Sequence, residues 1–145
     1  MGNSNRIRVL VLGLIQHHDR LFVAEGYDSV KQDRFYRALG GGVEFGETSL
    51  DALKREFQEE IQAELTNIHY LGCLENLFVY NGNPGHEVIQ LYRCDFADPK
   101  FYQLEQLIFL EDVGNTPITG LWVDCDRFRS GELRLVPPAC LDYLP

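Results

Sequence analysis

Runs of Val, Ile and Leu alternate along the chain with short polar stretches dense in turn residues, a rhythm that predicts mostly strands. Ile7 to His17 reads as a buried strand, and Leu21 to Glu25 as its hairpin partner across the polar turn Gln16-His17-His18-Asp19-Arg20. A polar stretch, Tyr27 to Arg34, leads into Phe35-Tyr36-Arg37-Ala38-Leu39 and then three successive glycines, Gly40-Gly41-Gly42. Ile68 to Tyr80 and Glu87 to Phe96 read as two strands of a long hairpin, with Asn81-Gly82-Asn83-Pro84-Gly85 as its turn. Lys100 to Asn115 is mixed and reads as loop with room for one short element, and Ile118 to Asp124 as a last strand. Pro137-Pro138 before Ala139 to Leu144 suits a short terminal helix, proline being tolerated in a first turn.

One segment breaks the strand rhythm. Thr48-Ser49-Leu50-Asp51 reads as a capping box with Asp in place of the usual Glu or Gln, and a helix is expected from there to about Ala63. Leu50, Leu53, Phe57 and Ile61 fall in one narrow arc of that helix and are expected to face the core. The expected class is α+β, a mixed sheet with one strong central helix.

The chain has 145 residues and a formal net charge of -9. With no repeat, low-complexity block or linker, it reads as one domain over residues 1–145, the first five a flexible tail. The acidic balance argues against non-specific nucleic-acid binding, which needs clustered Lys and Arg. A small phosphorylated ligand stays admissible, because a metal ion can supply the positive charge locally. The longest apolar run, Val9 to Ile15, is far short of the ~20 residues of a membrane helix. The amino-terminal residues carry no signal-peptide stretch, and Arg6 stands where a myristoylation site has Ser or Thr. Cys73, Cys94, Cys125 and Cys140 form no C-x-x-C pair, so reduced thiols are expected rather than zinc ligands, and a cytoplasmic location with them.

Glu56, Glu59 and Glu60 fall in an arc beside the apolar one, at i, i+3 and i+4. Their like charges repel by a few tenths of a kcal/mol per pair in an isolated helix. Lys54 and Arg55 read as pointing elsewhere. Such a cluster is either a solvated acidic face or a site for a hard cation such as Mg²⁺, which takes oxygen ligands. The adjoining glycines favour the second, since a residue without Cβ lets the backbone approach a metal or phosphate closely.

Gly41, five residues, Glu47, seven residues and Arg55-Glu56-Phe57-Gln58-Glu59-Glu60 together resemble the Nudix box, G-x5-E-x7-R-E-U-x-E-E-x-G-U, with U a bulky apolar residue. Two positions depart from it: Gln62 replaces the late glycine and Ala63 the last bulky residue. A left-handed helix ending costs a non-glycine residue about 1 kcal/mol or more, so the helix is expected to run on toward Asn67 or end differently. Leu39 also replaces a proline common before the glycines.

The resemblance implies a Nudix-type α/β/α sandwich and a MutT-like pyrophosphohydrolase. Such an enzyme splits a nucleoside diphosphate linked to another moiety, using Mg²⁺ or Mn²⁺. Carried over by position, Glu56, Glu59 and Glu60 would bind the metal together with the Gly41 carbonyl. Glu56 or Glu59 would be the catalytic base, with Glu105 and Glu111 as alternatives, while Glu47 and Arg55 would brace loop against helix. The implied partner is a small nucleotide-type diphosphate, with neither membrane nor non-specific nucleic acid, and a homodimer is compatible.

Two rivals share the scaffold. One is a non-catalytic nucleotide sensor, which would not need three crowded carboxylates. The other is an isoprenoid-diphosphate isomerase, which needs a catalytic cysteine; Cys73 and Cys94 have no evident activating neighbour. Glu75-Asn76-Leu77-Phe78 through Gly85-His86-Glu87 resembles an E-N-x-F…G-x-x-x-H-E pattern of one branch of Nudix-like sequences, reading either as cleft lining or as ordinary strand. His17-His18-Asp19 reads as an exposed turn, and Tyr27, Phe35, Tyr36 and Tyr102 as core aromatics or base-stacking groups.

Overall fold

The computed structural model describes residues 5–111 and 116–145. Its strands are β1 (Ile7–Leu14), β2 (Gln16–His17), β3 (Arg20–Asp28), β4 (Asp33–Gly42), β5 (Leu65–Tyr80), β6 (Asn83–Phe96), β7 (Gln106–Leu110) and β8 (Pro117–Asp124). They form one sheet in the order β5-β6-β1-β4-β3-β8-β7, with β2 alongside β3. The β1–β6 pair is parallel and the other pairs are antiparallel, so the sheet is mixed.

The expected hairpin between the first strand and Leu21–Glu25 forms only in part. β1 stops at Leu14 and pairs with β4 and β6, whereas the two residues of β2 make the hairpin with β3. The physical reason lies in the apolar run itself. Leu10, Leu12 and Leu14 are buried on one face of the sheet and Val11 and Ile15 on the other. A strand covered on both faces belongs in the middle of a sheet, with a neighbour on each edge. The turn shrinks to His18 and Asp19, both at positive φ (49° and 62°), as a two-residue type I′ hairpin requires. Asn81 and Gly82 do the same between β5 and β6, so those strands run longer than expected and pairing resumes at Asn83.

The three glycines lie inside β4 rather than in a loop. Residues 39–42 of β4 pair with β1, and residues 33–38 pair with β3, so the strand changes partner midway. A side chain at Gly40 would collide with the Val11 carbonyl of β1.

Helix α1 (Ser49–Ile61) starts as expected, with the Thr48 hydroxyl accepting the Asp51 N–H at 3.1 Å. Leu53, Phe57 and Ile61 are buried against the sheet, but Leu50 is 37% exposed. Helical side chains lean toward the amino terminus, so one in the first turn projects past the helix end. The helix stops at Ile61 instead of running on. Gln62 adopts the left-handed conformation at φ 52°, giving its N–H to Gln58 O at 3.0 Å, while Ala63 N–H reaches Phe57 O at 3.2 Å. This is a Schellman ending made without glycine. The Gln62 side-chain amide adds a bond to Glu59 O at 3.2 Å.

One apolar cluster joins α1 to Val11, Ile15, Phe22, Leu39, Phe96, Phe101 and Trp122. The other face carries Leu10, Leu12, Leu14, Ile89 and Leu91, covered by Phe128 of α2 (Cys125–Arg129), Leu135 and Cys140. The terminal Pro138–Tyr143 segment is a 3-10 helix. Helix, mixed sheet and helix make the α/β/α sandwich. Cys94, Cys125 and Cys140 are buried and Cys73 is exposed; burial pushes the Cys94 thiol up to about 12.

The stretch from Lys100 to Asn115 holds more structure than expected, the end of a 3-10 turn (Pro99–Tyr102) and strand β7, whose alternate residues Leu107 and Phe109 turn inward. Residues 112–115 of that stretch, and the first four residues of the expected tail, lie outside the described residues. Among the described residues, no helix is long and apolar enough to cross a membrane.

Candidate active site

The first turns of α1 and the loop from Val43 to Thr48 meet at Arg55. Its Nε donates to Glu47 Oε2 at 2.7 Å and its Nη2 to Glu47 Oε1 at 3.0 Å, a two-pronged pairing suited to the planar guanidinium. Nη2 also donates to the Gly42 carbonyl at 2.9 Å. Nη1 donates to Glu56 Oε1 and to Glu59 Oε1, each at 2.9 Å, and lies 3.6 Å from Glu44. Arg55 therefore does not point away from the carboxylates. Its side chain is long enough to turn back along the helix surface, and the acceptors draw it there.

The loop is braced from within as well, because Glu44 N–H donates to Glu47 Oε1 and Glu47 N–H to Glu44 O, both at 3.1 Å. The bonds from Arg55 and then from the Glu44 N–H hold the Glu47 carboxyl below its ordinary range. The Glu47 carboxylate above all, with those of Glu56 and Glu59, pushes the Arg55 guanidinium further up, so it stays charged at any working pH.

Glu56 is 8% exposed, and its carboxylate packs directly on Gly41; a side chain there would collide with it. Glu59 is exposed and Glu60 half-buried on the following turn. Four carboxylates thus lie within 3.6 Å of one guanidinium, which leaves a net negative charge at the end of β4. Among the described residues no three acidic, His or Cys side chains stand ready as a metal cage, because Arg55 sits between Glu56 and Glu59. The donors themselves are carboxylate and carbonyl oxygens, the set that Mg²⁺ and Mn²⁺ take, and the missing side chain at Gly41 gives the Glu56 carboxylate its place. The residues fit such a cation by chemistry and by excess charge.

Glu105 and Glu111 flank β7, both exposed. His17 ends β2 and His18 begins the β2–β3 turn, the His17 ring centred 4.4 Å from that of Tyr102. Tyr102 itself stacks on Trp122, and Tyr36 is buried beside Phe128. Phe35 meets Tyr80 edge to face, and Tyr27 is 49% exposed.

The E-N-x-F…H-E segment folds into cross-strand pairs. Asn76 stands opposite Glu87, and the Phe78 ring covers Gly85. Glu87 is 3% exposed; its Oε1 accepts from Asn76 Nδ2 at 3.2 Å and from Arg37 Nη2 at 2.6 Å. Sequence reasoning missed Arg37, fifty positions from Glu87, and Glu44, which sits on a loop without helical periodicity.

A family model of the NUDIX domain matches residues 4–137. No curated protein matches the sequence. Several solved structures share the fold. A NUDIX hydrolase from Nitrosomonas europaea aligns with TM-score 0.64 and 16% identity, covering 94% of this chain and 85% of that one. A MutT NUDIX hydrolase from Burkholderia pseudomallei aligns with TM-score 0.60 and 18% identity, over 84% of this chain and 86% of that one. A MutT protein from Bacillus halodurans gives TM-score 0.57 and 16% identity, over 92% and 77% respectively.

Proposed function

The chain belongs to the Nudix family and is a Nudix-type hydrolase, and we propose that it acts as a divalent-metal-dependent pyrophosphohydrolase. Its substrate in this reading is a nucleoside diphosphate joined to another group. Water attacks one phosphorus, the bridging P–O bond breaks, and a nucleoside monophosphate and a phosphorylated remainder leave.

The observation that carries the reading is the crowding of Glu44, Glu47, Glu56 and Glu59 around Arg55, beside a glycine that a side chain would close. Packing alone gives no reason to gather that much negative charge. Glu56, Glu59 and Glu60, with the Gly41 carbonyl, would hold Mg²⁺ or Mn²⁺. When bound, the cation supplies charge neutralisation on the phosphoryl oxygens and a bound water of lowered pKa. Glu56 or Glu59 takes the proton of the attacking water on a carboxylate oxygen. Arg55 ties Glu47 and the Gly42 carbonyl to the helix, which fixes the loop against which the diphosphate lies. A cytoplasmic location and a homodimer are compatible with this reading.

The test is Mg²⁺-dependent hydrolysis across a panel of nucleoside diphosphate and polyphosphate compounds, with Glu59→Gln beside the wild type. Expected is turnover by the wild type on at least one compound and a loss of about 10²-fold or more in the variant. Wild-type turnover in Glu59→Gln would sink the metal assignment. Nucleotide binding with no turnover in either protein would instead favour a sensor.

A further inference from the structure

Arg37, Asn76 and Glu87 come together from three strands, β4, β5 and β6. β4 leaves β1 before Leu39, and its first half pairs with β3. The tips of the β3–β4 and β5–β6 hairpins nevertheless meet. Asn81 N–H donates to Asp28 Oδ2 at 3.2 Å, Lys31 Nζ to Val79 O at 2.9 Å and Tyr80 OH to Tyr27 O at 3.3 Å. Arg37 and Glu87 span the two hairpins behind these tips.

As a clamp the group is poorly made. A buried ion pair contributes little stability unless both partners are fully satisfied. Here both donors fall on Glu87 Oε1, and among the described residues none reaches Oε2. The Arg37 Nε is shut off from water with no acceptor. Yet 27% of the Arg37 side chain is exposed, so the group borders solvent although the Glu87 side chain is only 3% exposed. An acceptor and a cationic donor are left side by side with spare capacity. A hydroxyl satisfies both at once, since it donates to a carboxylate and accepts from a guanidinium. In dinucleotide-binding folds an Asp or Glu likewise accepts from the ribose 2′-hydroxyl.

β4 leads from this group to Gly41 and Gly42, where Glu56 packs and Arg55 bonds. Four residues of strand span at most about 13 Å, the scale of a nucleoside with its diphosphate.

We propose that Arg37, Asn76 and Glu87 bind the ribose hydroxyls of the substrate, so that the enzyme selects ribonucleoside over deoxyribonucleoside diphosphate compounds. This rests on the pyrophosphohydrolase reading for its substrate class. The sugar contact itself is measurable without turnover.

The test is calorimetric titration of the full chain with AMP and with 2′,3′-dideoxy-AMP, without metal. Glu87→Gln and Asn76→Ala are run beside the wild type, with thermal unfolding as a check on folding. The wild type should bind AMP about 10-fold or more tightly than the dideoxy compound, and Glu87→Gln should bring the two within about twofold. Asn76→Ala leaves the ion pair in place and should narrow the gap part of the way, which keeps the test decisive if Glu87→Gln does not fold. With ADP-ribose as substrate, Glu87→Gln should raise KM about 10-fold while kcat stays within about threefold.

Equal affinity of the wild type for both ligands, or discrimination surviving in Glu87→Gln, would overturn the proposal. So would a folded Glu87→Gln that loses affinity for both ligands alike, as a structural clamp predicts. Intact sugar discrimination in a protein that hydrolyses nothing would overturn the pyrophosphohydrolase reading and leave the sugar site standing.

Discussion

Asp28 and Glu56 are both buried carboxylates, 1% and 8% exposed, and they are held in opposite ways. Asp28 receives backbone N–H groups. Val30 and Lys31 donate to Oδ1, each at 3.0 Å, and Asn81 donates to Oδ2 at 3.2 Å. These bonds join the β3–β4 turn to the β5–β6 turn, and they are complete within the chain. Glu56 accepts from Arg55, which also serves Glu47, Glu59 and the Gly42 carbonyl. One guanidinium cannot balance four carboxylates, so that end of the molecule gains from an added cation and the Asp28 end does not. Burial alone does not separate a structural acid from a functional one. The source of its donors does.

The contrast is broken most readily by activity. Glu59→Gln, expected to lose about 10²-fold or more in turnover, should leave the thermal midpoint nearly unchanged, because Glu59 is exposed and its pairing with Arg55 is offset by repulsion from the neighbouring carboxylates. A large fall in stability with that substitution would place Glu59 in the same class as Asp28. Asp28→Asn should do the reverse. It weakens the acceptor for three backbone donors, so Tm should drop by about 5 °C or more while turnover per folded molecule stays within about twofold.

Acid should sharpen the same difference. The Lys31 N–H above all, with those of Asn81 and Val30, holds the Asp28 carboxyl below its ordinary value of 3.8. A carboxyl lowered in the native state adds stability above its unfolded pKa and loses it as pH falls through the native one. The Tm gap between wild type and Asp28→Asn should therefore be flat well above pH 3.8 and shrink below it. A gap that persists unchanged in stronger acid would show that the charge of Asp28 is not what the backbone donors recognise.

The smallest expected effect concerns the end of α1. Gln62→Gly should raise stability by about 1 kcal/mol at most, since glycine takes the left-handed conformation without strain. Chemical denaturation at fixed m-value measures it. A loss of stability would mean that the side-chain bond to Glu59 O outweighs the strain.

The helix, its cap and the carboxylate spacing were legible because they depend on residues within one or two turns. The Asn-Gly turn and the long β5–β6 hairpin were legible for the same reason. What the sequence hid is non-local. The continuous apolar run of β1 marks burial on both faces, but that β4 and β6 are the strands beside it depends on pairing with distant parts of the chain. The reach of Arg55 back to Gly42 and Glu44 depends on how the loop folds over the helix. Leu50 has the right angle for the core, but its position along the axis exposes it. The contacts Asp28–Asn81 and Arg37–Glu87 join residues about fifty positions apart, and no local pattern marks either.

The central claim, that the charge around Arg55 is arranged for a divalent cation, is tested most directly by thermal unfolding of the full chain with and without millimolar MgCl₂. A cation that binds only the native state raises stability with its concentration, by about 2.7 kcal/mol at a hundred times its Kd. The wild type and Asp28→Asn should show the same upward shift in Tm, about 5 °C or more, and Glu59→Gln less than half of it. No shift in the wild type, or an equal shift in Glu59→Gln, would contradict the account.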